Sequence, residues 1–338
     1  MKKERKKIVI ALSGGVDSSV SSFLLKEKGY KVSAIFMKLI NSDSFKKAEE
    51  RARSVAKKLD IDFKVVDLRK EFKKRIIDYF IESYKSGITP NPCIICNREI
   101  KFGLLFNEAM KMGADYIATG HYAKIIERDG KYHLLKPKDN KKDQTYFLSR
   151  LSQKQLSKII FPLSNYTKDK VKEIAKKQKF FLEDVPESQE ACFVIGSNED
   201  FLKKYLKKNV GKIVDVNGKI LGEHDGLWLY TIGQRKGIGL AQGPYFVVKK
   251  DIKKNLLIVS KNEKDLLSKE LKFKDANFIN KISFPQKVTA KIRYGHIASP
   301  GILSKNKMVF NKKQRAITPG QSVVFYKGKE MIGGGIII

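Results

Sequence analysis

The apolar run KIVIAL, residues 7–12, breaks into SGGVDSS and continues directly into VSSFLLKEKG. A strand, a glycine turn and a helix in unbroken succession allow few folds, because the helix must return along the strand it has just left. Gly14 and Gly15 permit a tight turn and a close backbone approach. The amides that follow, with the hydroxyls of Ser13, Ser18 and Ser19, can face an anion at the helix start. Asp17 can hold magnesium against phosphates or order the loop. Two glycines followed by capping serines also occur in ordinary turns, but the full strand–SGGVDSS–helix context favours a phosphate loop. It has neither the Gly-Lys-Ser/Thr ending of the kinase-type loop nor the spacing of the dinucleotide fingerprint.

The pattern repeats downstream. KVSAIFMKL, FKKAEERARSVAKKL and IDFKVVDL read as strand, helix, strand, which predicts a parallel sheet covered on both faces. FGLLFNEAMKMG reads as a helix, ADYIATGHY as a strand running into a loop, and KDKVKEIAKKQKF as an amphipathic helix. The first domain is placed at residues 1–205. The strand ends IFMKL and ATGHY should open on the same sheet edge, where ligands collect. Met37 there covers adenine or fills core, Gly120 lets a ligand approach, and His121 at a strand terminus is expected in a polar role rather than buried. Beyond Val210 the runs KIVDV, GLWLY, YFVVKK and LLIVS, then KVTAKIRY, KMVFN, QSVVFYKG and GGGIII, are divided by Gly, Asn and Pro. These predict short antiparallel strands in two small units, a central β-rich domain at 206–265 and a C-terminal one at 266–338.

Sixty-nine Lys and Arg against thirty-six Asp and Glu give a net charge of +33 over 338 residues. That excess favours a polyanionic partner such as RNA. The basic-then-apolar start MKKERKKIVIAL imitates a secretion signal, but its apolar run stops at SGG and no stretch is long enough to span a bilayer. A cytoplasmic protein with no membrane association is expected.

Three cysteines are too few for a disulfide scaffold. Cys93 and Cys96 lie in TPNPCIICNREIKFG, and Cys192 in ESQEACFV. Zinc lacks a fourth ligand, since there is no second CxxC and no nearby histidine pattern. A helix start with Arg98 and Lys101 close by is expected to lower the Cys96 pKa. If Cys192 folds back to Cys96, one can carry sulfur as a persulfide while the other attacks it or closes a disulfide.

SGGVDSS, IFMK, TPNPCIICNREIKFG, ATGHYAK, KDQTYFL, ESQEACFV, GEHDGLWLYTIGQRKGIG and TPGQSVVFY together resemble the bacterial tRNA-specific 2-thiouridylases, of the PP-loop ATP pyrophosphatase superfamily, in order and over essentially the whole chain. The resemblance implies an α/β fold: an N-terminal parallel-sheet ATP-pyrophosphatase domain (adenine nucleotide alpha hydrolase-like), a small β-rich central domain and a C-terminal β-barrel. It implies ATP-dependent thiolation, with Mg2+, of carbon 2 of the wobble uridine in tRNAs for Lys, Glu and Gln, through an adenylated uridine and with release of AMP and pyrophosphate. It carries over Cys96 as the nucleophile working with a persulfide-bearing Cys192, and Asp17 as a further catalytic residue. ATP contacts fall on Ala11, Leu12, Ser13, Gly14, Gly15, Val16, Asp17, Ser18, Met37 and Gly120. Asn91, Pro92 and Cys93 line the target-base pocket, while His121, Lys142, Asp143, Gln144, Arg293, Tyr294 and Gln321 meet the tRNA. KDNKKDQTYF is also, on its own residues, a basic loop suited to phosphates, with Gln144 able to read a base edge.

One position departs from the family. Cys93 stands where the best-known members carry Asp, so Cys93, Cys96 and Cys192 can instead hold three irons of a [4Fe–4S] cluster whose fourth iron takes hydrosulfide. The sulfur donor is then a cysteine desulfurase or sulfur-relay protein for the persulfide route, and free sulfide for the cluster route. Thiolation of another RNA is a near alternative. An ATP-dependent amide-forming synthetase is a distant one, because it leaves the cysteines idle, and a non-enzymatic RNA-binding module leaves the loop idle as well.

Overall fold

The computed structural model describes residues 5–180 and 191–338, so the first four residues and the ESQE quartet of ESQEACFV lie outside the described residues. The N-terminal sequence folds as its alternation predicts: β1 (Lys7–Ala11), α1 (Val16–Glu27), β2 (Lys31–Lys38), α2 (Asp43–Lys58) and β3 (Asp62–Asp67). β4 (Tyr116–Ala118) follows, then a hairpin of β5 (Lys124–Arg128) and β6 (Lys131–Leu135), then β7 (Ile159–Ile160). The sheet order is β3-β2-β1-β4-β7, with every pairing parallel. Side chains alternate across a strand, so Ile8 and Ile10 of β1 enter one core with Val20, Leu24, Val55 and Val171, while Val9 and Ala11 enter the other with Ile35, Phe102 and Leu105. Burial on both faces is the reason the strand reads as a continuous apolar run, and each large apolar side chain so buried contributes roughly 1.5–3 kcal/mol. α2 starts where Ser42 accepts the Phe45 N–H and ends on Lys57 and Lys58, in keeping with its dipole.

The central unit is a four-stranded sheet, β10-β11-β8-β9, of β8 (Gly211–Asp215), β9 (Ile220–His224), β10 (Phe246–Asp251) and β11 (Leu256–Ser260). Two expectations are corrected here. β8 and β11 pair in parallel, not antiparallel, and GLWLY is a single turn of 3-10 helix, Leu227–Leu229, instead of a strand. Gly226 sits at φ +155, and Trp228 Nε1 donates to the Lys207 carbonyl, which turns the chain across the sheet.

The C-terminal strands β12 (Leu267–Phe278), β13 (Gln286–Lys291), β14 (Ser299–Leu303), β15 (Lys307–Arg315), β16 (Ser322–Lys327) and β17 (Glu330–Ile337) close into an antiparallel barrel, because β12 pairs with both β15 and β17. Closure removes the free edges that an open sheet would leave. The β5–β6 hairpin, not foreseen as strand, leaves the N-terminal domain and pairs with β17, where His133 Nδ1 lies 2.7 Å from a Glu330 carboxylate oxygen.

The barrel also docks on the segment before the cysteines. The Thr89 N–H donates to the Pro319 carbonyl at 3.1 Å. Gly320, at φ +90, lies so close that a Cβ would fall 1.9 Å from Ile88 Cγ2 and 2.9 Å from the Thr89 oxygen. Gly320→Ala therefore meets both a left-handed backbone and a clash, and is expected to cost about 1–3 kcal/mol in chemical denaturation of the full chain. Unchanged stability would mean that the barrel does not bear on residues 88–89.

Candidate active site

The glycine loop joins the end of β1 to the first turn of α1. Gly14, at φ +76, faces Ala48 of α2, whose oxygen a Cβ would approach to 2.2 Å, and its carbonyl accepts Arg51 Nε at 3.1 Å. Gly15 caps α1 with no side chain bonded to the first-turn amides. A helix N-terminus left open in this way is suited to an anion. The three serines divide. Ser13 is exposed, but Ser18 and Ser19 are buried and donate to the Gly15 carbonyl at 3.0 and 2.9 Å. Those two hydroxyls hold the turn, in contrast to the expectation that all three face the anion.

Asp17 is likewise committed. Lys168 Nζ donates to its two carboxylate oxygens at 2.8 and 2.9 Å, and the Tyr122 hydroxyl donates to one of them at 2.9 Å. Of the two roles open to Asp17, ordering the loop is the one this geometry serves, and the carboxylate as held does not fit a direct magnesium ligand. Lys168 was not singled out from sequence. A lysine that is buried at a helix start, against the dipole, signals a distant carboxylate partner, but nothing in the sequence says that the partner lies 151 residues away.

Gly120 at the end of β4 does allow a close approach, but of protein: a Cβ there would lie 2.8 Å from Asp17 C and Ser18 N. The β1 and β4 ends thus meet at the sheet's switch point, where Gly120 makes room for the loop. Ala11 and Leu12 are buried, so they can meet a ligand only through backbone, and Met37 is half-buried, packed against two cores. His121 is buried, contrary to expectation. It lies between Phe102 and Phe161 with Nδ1 2.7 Å from the Thr119 hydroxyl, and burial holds its pKa well below the usual value, so it is neutral.

The cysteines sit at the start of a helix running over residues 92–111. Asn91 caps it and Pro92 occupies its first turn; residues Asn97–Leu104 are wound as π-helix, a winding frequent at functional sites. Cys96 is buried in one apolar cluster with Phe72, Ile76, Phe80 and Ile100. Cys192 arrives because its neighbour Phe193 is buried among Phe72, Phe80 and Phe201, with ring centroids 5.8, 5.2 and 5.4 Å away. Cys93 is half-buried and Cys192 exposed.

The three thiols are close enough for their charges to act on one another. The expected lowering of the Cys96 pKa is overturned. Burial pushes the Cys96 thiol up to about 12, with Cys192 and Cys93 adding to the rise and Lys101 opposing it. Cys192, although water reaches it, is pushed by the protein packed around it to about 11, and burial raises Cys93 as well. The Lys101 charge opposes the rise at all three. Desolvation of a thiolate here outweighs a lysine and a helix start. Among the described residues no three His, Cys, Asp or Glu side chains are arranged to hold a single metal ion, while three thiols that act on one another are the donor type that an iron–sulfur cluster takes.

The predicted tRNA-contacting residues separate into two groups. Gln321 donates to the Thr89 and Pro90 carbonyls at 3.0 and 3.2 Å. Asp143 is buried, accepts from the Thr145 amide and hydroxyl, and faces Lys291 at 3.5 Å. The Gln144 side-chain oxygen accepts the Tyr122 N–H, which fixes the orientation of its amide. All three are engaged by hydrogen bonds within the protein. Lys142 and Arg293 are half-buried, while Tyr294 is exposed with its ring 4.4 Å from that of Phe147. The Tyr146 hydroxyl donates to the Ser322 carbonyl at 2.8 Å and also bonds Asn91, tying the barrel to the helix cap.

An anion-ready glycine loop at the switch point of a parallel sheet, beside a helix carrying two cysteines with a third folded against it, defines an ATP-pyrophosphatase-type enzyme equipped for sulfur. Family models for a tRNA methyl transferase HUP domain, a tRNA methyl transferase PRC-barrel domain and an aminomethyltransferase beta-barrel domain match residues 6–196, 199–261 and 268–337. Curated proteins named tRNA-specific 2-thiouridylase MnmA are similar over nearly full length. Those of Clostridioides difficile and Clostridium perfringens are 46% identical, over 98% of this chain and 98% of each of theirs; that of Syntrophomonas wolfei is 45% identical, over 98% and 99%. The chain belongs to the tRNA-specific 2-thiouridylase family.

The raised thiols set a reactivity pattern. Alkylation mapped by mass spectrometry should modify exposed Cys192 well before buried Cys96, with both rates still rising above pH 9 because thiolate is scarce below that. A rate plateau near pH 7 at either cysteine would contradict the burial account.

Proposed function

We propose that the protein uses ATP to replace oxygen with sulfur at carbon 2 of the wobble uridine in tRNA; its relatives carry the name tRNA-specific 2-thiouridylase. The observation that carries this reading is the convergence of Cys192 on the cysteine helix, at the edge of a sheet whose first loop is open to phosphate. ATP binds with its phosphates toward the free amides of α1, and Mg2+ travels on those phosphates. The uridine oxygen attacks the α-phosphorus, pyrophosphate leaves, and the base carries AMP on that oxygen.

Sulfur then arrives as a persulfide on Cys192, whose exposure suits delivery by a cysteine desulfurase or sulfur-relay protein. The terminal sulfur attacks carbon 2 and AMP departs with the oxygen. The Cys96 thiolate attacks Cys192 Sγ, breaking the sulfur–sulfur bond, leaving the outer sulfur on the base and closing a Cys96–Cys192 disulfide. Two thiols are oxidised as the persulfide sulfur is reduced, so a thiol reductant must reopen the disulfide after each turnover. Cys96 has to lose its proton at that step, and the positive charge of Lys101 favours the loss. Tyr294, Lys142 and Arg293 are the residues we assign to the tRNA surface, with Asn91, Pro92 and Cys93 at the target base.

Cys96→Ser and Cys192→Ser should each abolish thiolation, scored by nucleoside mass spectrometry, while leaving tRNA affinity and tRNA-dependent AMP release nearly intact. Full thiolation in either variant removes that cysteine from the mechanism. Cys93→Ala distinguishes the sulfur routes. Retained thiolation with a persulfide donor supports the persulfide, whereas lost activity together with lost stoichiometric iron after anaerobic reconstitution would replace it with the cluster.

A further inference from the structure

Behind the cysteine helix, on the side of Ile95 and Arg98, lies an open cavity of about 970 Å3 between that helix, the 150–155 segment and the barrel strands β12 and β17, with Glu99 and Asp275 among its lining residues. Its basic lining is Arg75, Arg98 and Arg150, without a single lysine. In a chain whose 69 basic residues include only 11 arginines, leaving 58 lysines, that choice points away from a general surface field. Arginine presents a planar fork that meets an oxyanion with two hydrogen bonds, which lysine cannot do.

The three arginines differ in what they meet. Arg75 pairs with Glu71 and Glu99, each at 3.1 Å, and Arg98 pairs with Glu99 at 3.3 Å. Arg150 is half-buried and has no ion pair or side-chain hydrogen bond among the described residues, and its buried Nε–H is unpartnered. Burial and the charge of Arg98 both disfavour its charged form, while Asp275 and Glu99 favour it from a distance. A half-buried guanidinium to which no carboxylate is directly bonded keeps its fork of donors available to an anion that enters the cavity.

We infer that this cavity is a phosphate-binding subsite separate from the glycine loop, with Arg150 as its anchor and Arg98 as the second fork. The phosphate comes either from the tRNA backbone or from free pyrophosphate. The inference does not depend on the sulfur chemistry, since Cys96→Ser leaves the cavity untouched.

Two titrations of the full chain test it, in the parent, Arg150→Met and Arg150→Lys. The first adds inorganic pyrophosphate calorimetrically with the glycine loop saturated by a non-hydrolysable ATP analogue. The second measures affinity for an unmodified tRNA transcript across about 50–200 mM salt. If the source is free pyrophosphate, the parent shows a second site that Arg150→Met lacks, with the tRNA salt slope unchanged. If it is the RNA backbone, Arg150→Met binds tRNA severalfold more weakly and its log–log salt slope falls by roughly 0.7–0.9. Arg150→Lys, which keeps the charge without the fork, should recover only part of either effect. Arg150→Met should melt no lower than the parent when ligand is absent, because it removes a half-buried charge whose buried Nε–H has no partner. Parental behaviour of both variants in both titrations would overturn the proposal.

Discussion

The contact of Phe193 with the rings of Phe72, Phe80 and Phe201 is the interaction on which the site depends. Cys192 is 96 positions from Cys96 in the chain, and no strand pairing links the two. What joins them is an aromatic cluster that buries one side chain and so fixes its neighbour. Edge-to-face rings contribute about 0.5–1.5 kcal/mol per pair beyond their burial. The same cluster covers one side of Cys96, which makes the packing that assembles the sulfur site also the packing that desolvates it.

That coupling explains why the thiols are held protonated. A site tuned for a resting thiolate would place a cation or an open helix terminus against the sulfur; here apolar neighbours outweigh Lys101. A neutral thiol resists oxidation and indiscriminate alkylation. In the proposed mechanism, reactivity is then confined to the state in which substrate and persulfide are both present, with the exposed Cys192 as the side from which sulfur enters.

Much of this architecture is legible in the sequence. The strand–helix–strand alternation of residues 7–67 and the glycine turn at positions 14 and 15 are local features, and they fold as read. The closed barrel was expected from its run of short strands and from the family resemblance. What eluded sequence reading was long-range. The parallel β8–β11 pair follows from topology, the Asp17–Lys168 ion pair spans half the chain, and GLWLY is turned aside by a tryptophan seeking the Lys207 carbonyl. Polar residues expected at the RNA surface illustrate the same limit: Asp143, Gln144 and Gln321 carry the right chemistry, yet the backbone groups of Thr145, Tyr122 and Thr89 claim it first. His121 and Cys96 were misjudged for a related reason, since desolvation depends on neighbours that a motif does not name.

The β5–β6 hairpin, encoded within the nucleotide-binding part of the chain, completes its ladder on β17. Cutting the polypeptide between the central unit and the barrel would therefore sever more than a linker. It would remove the β17 pairing of Leu134 and Leu135, leaving β6 held by β5 alone with a longer exposed edge of the kind that can recruit another strand. The far end of the chain thus covers part of a strand edge that belongs to the N-terminal domain.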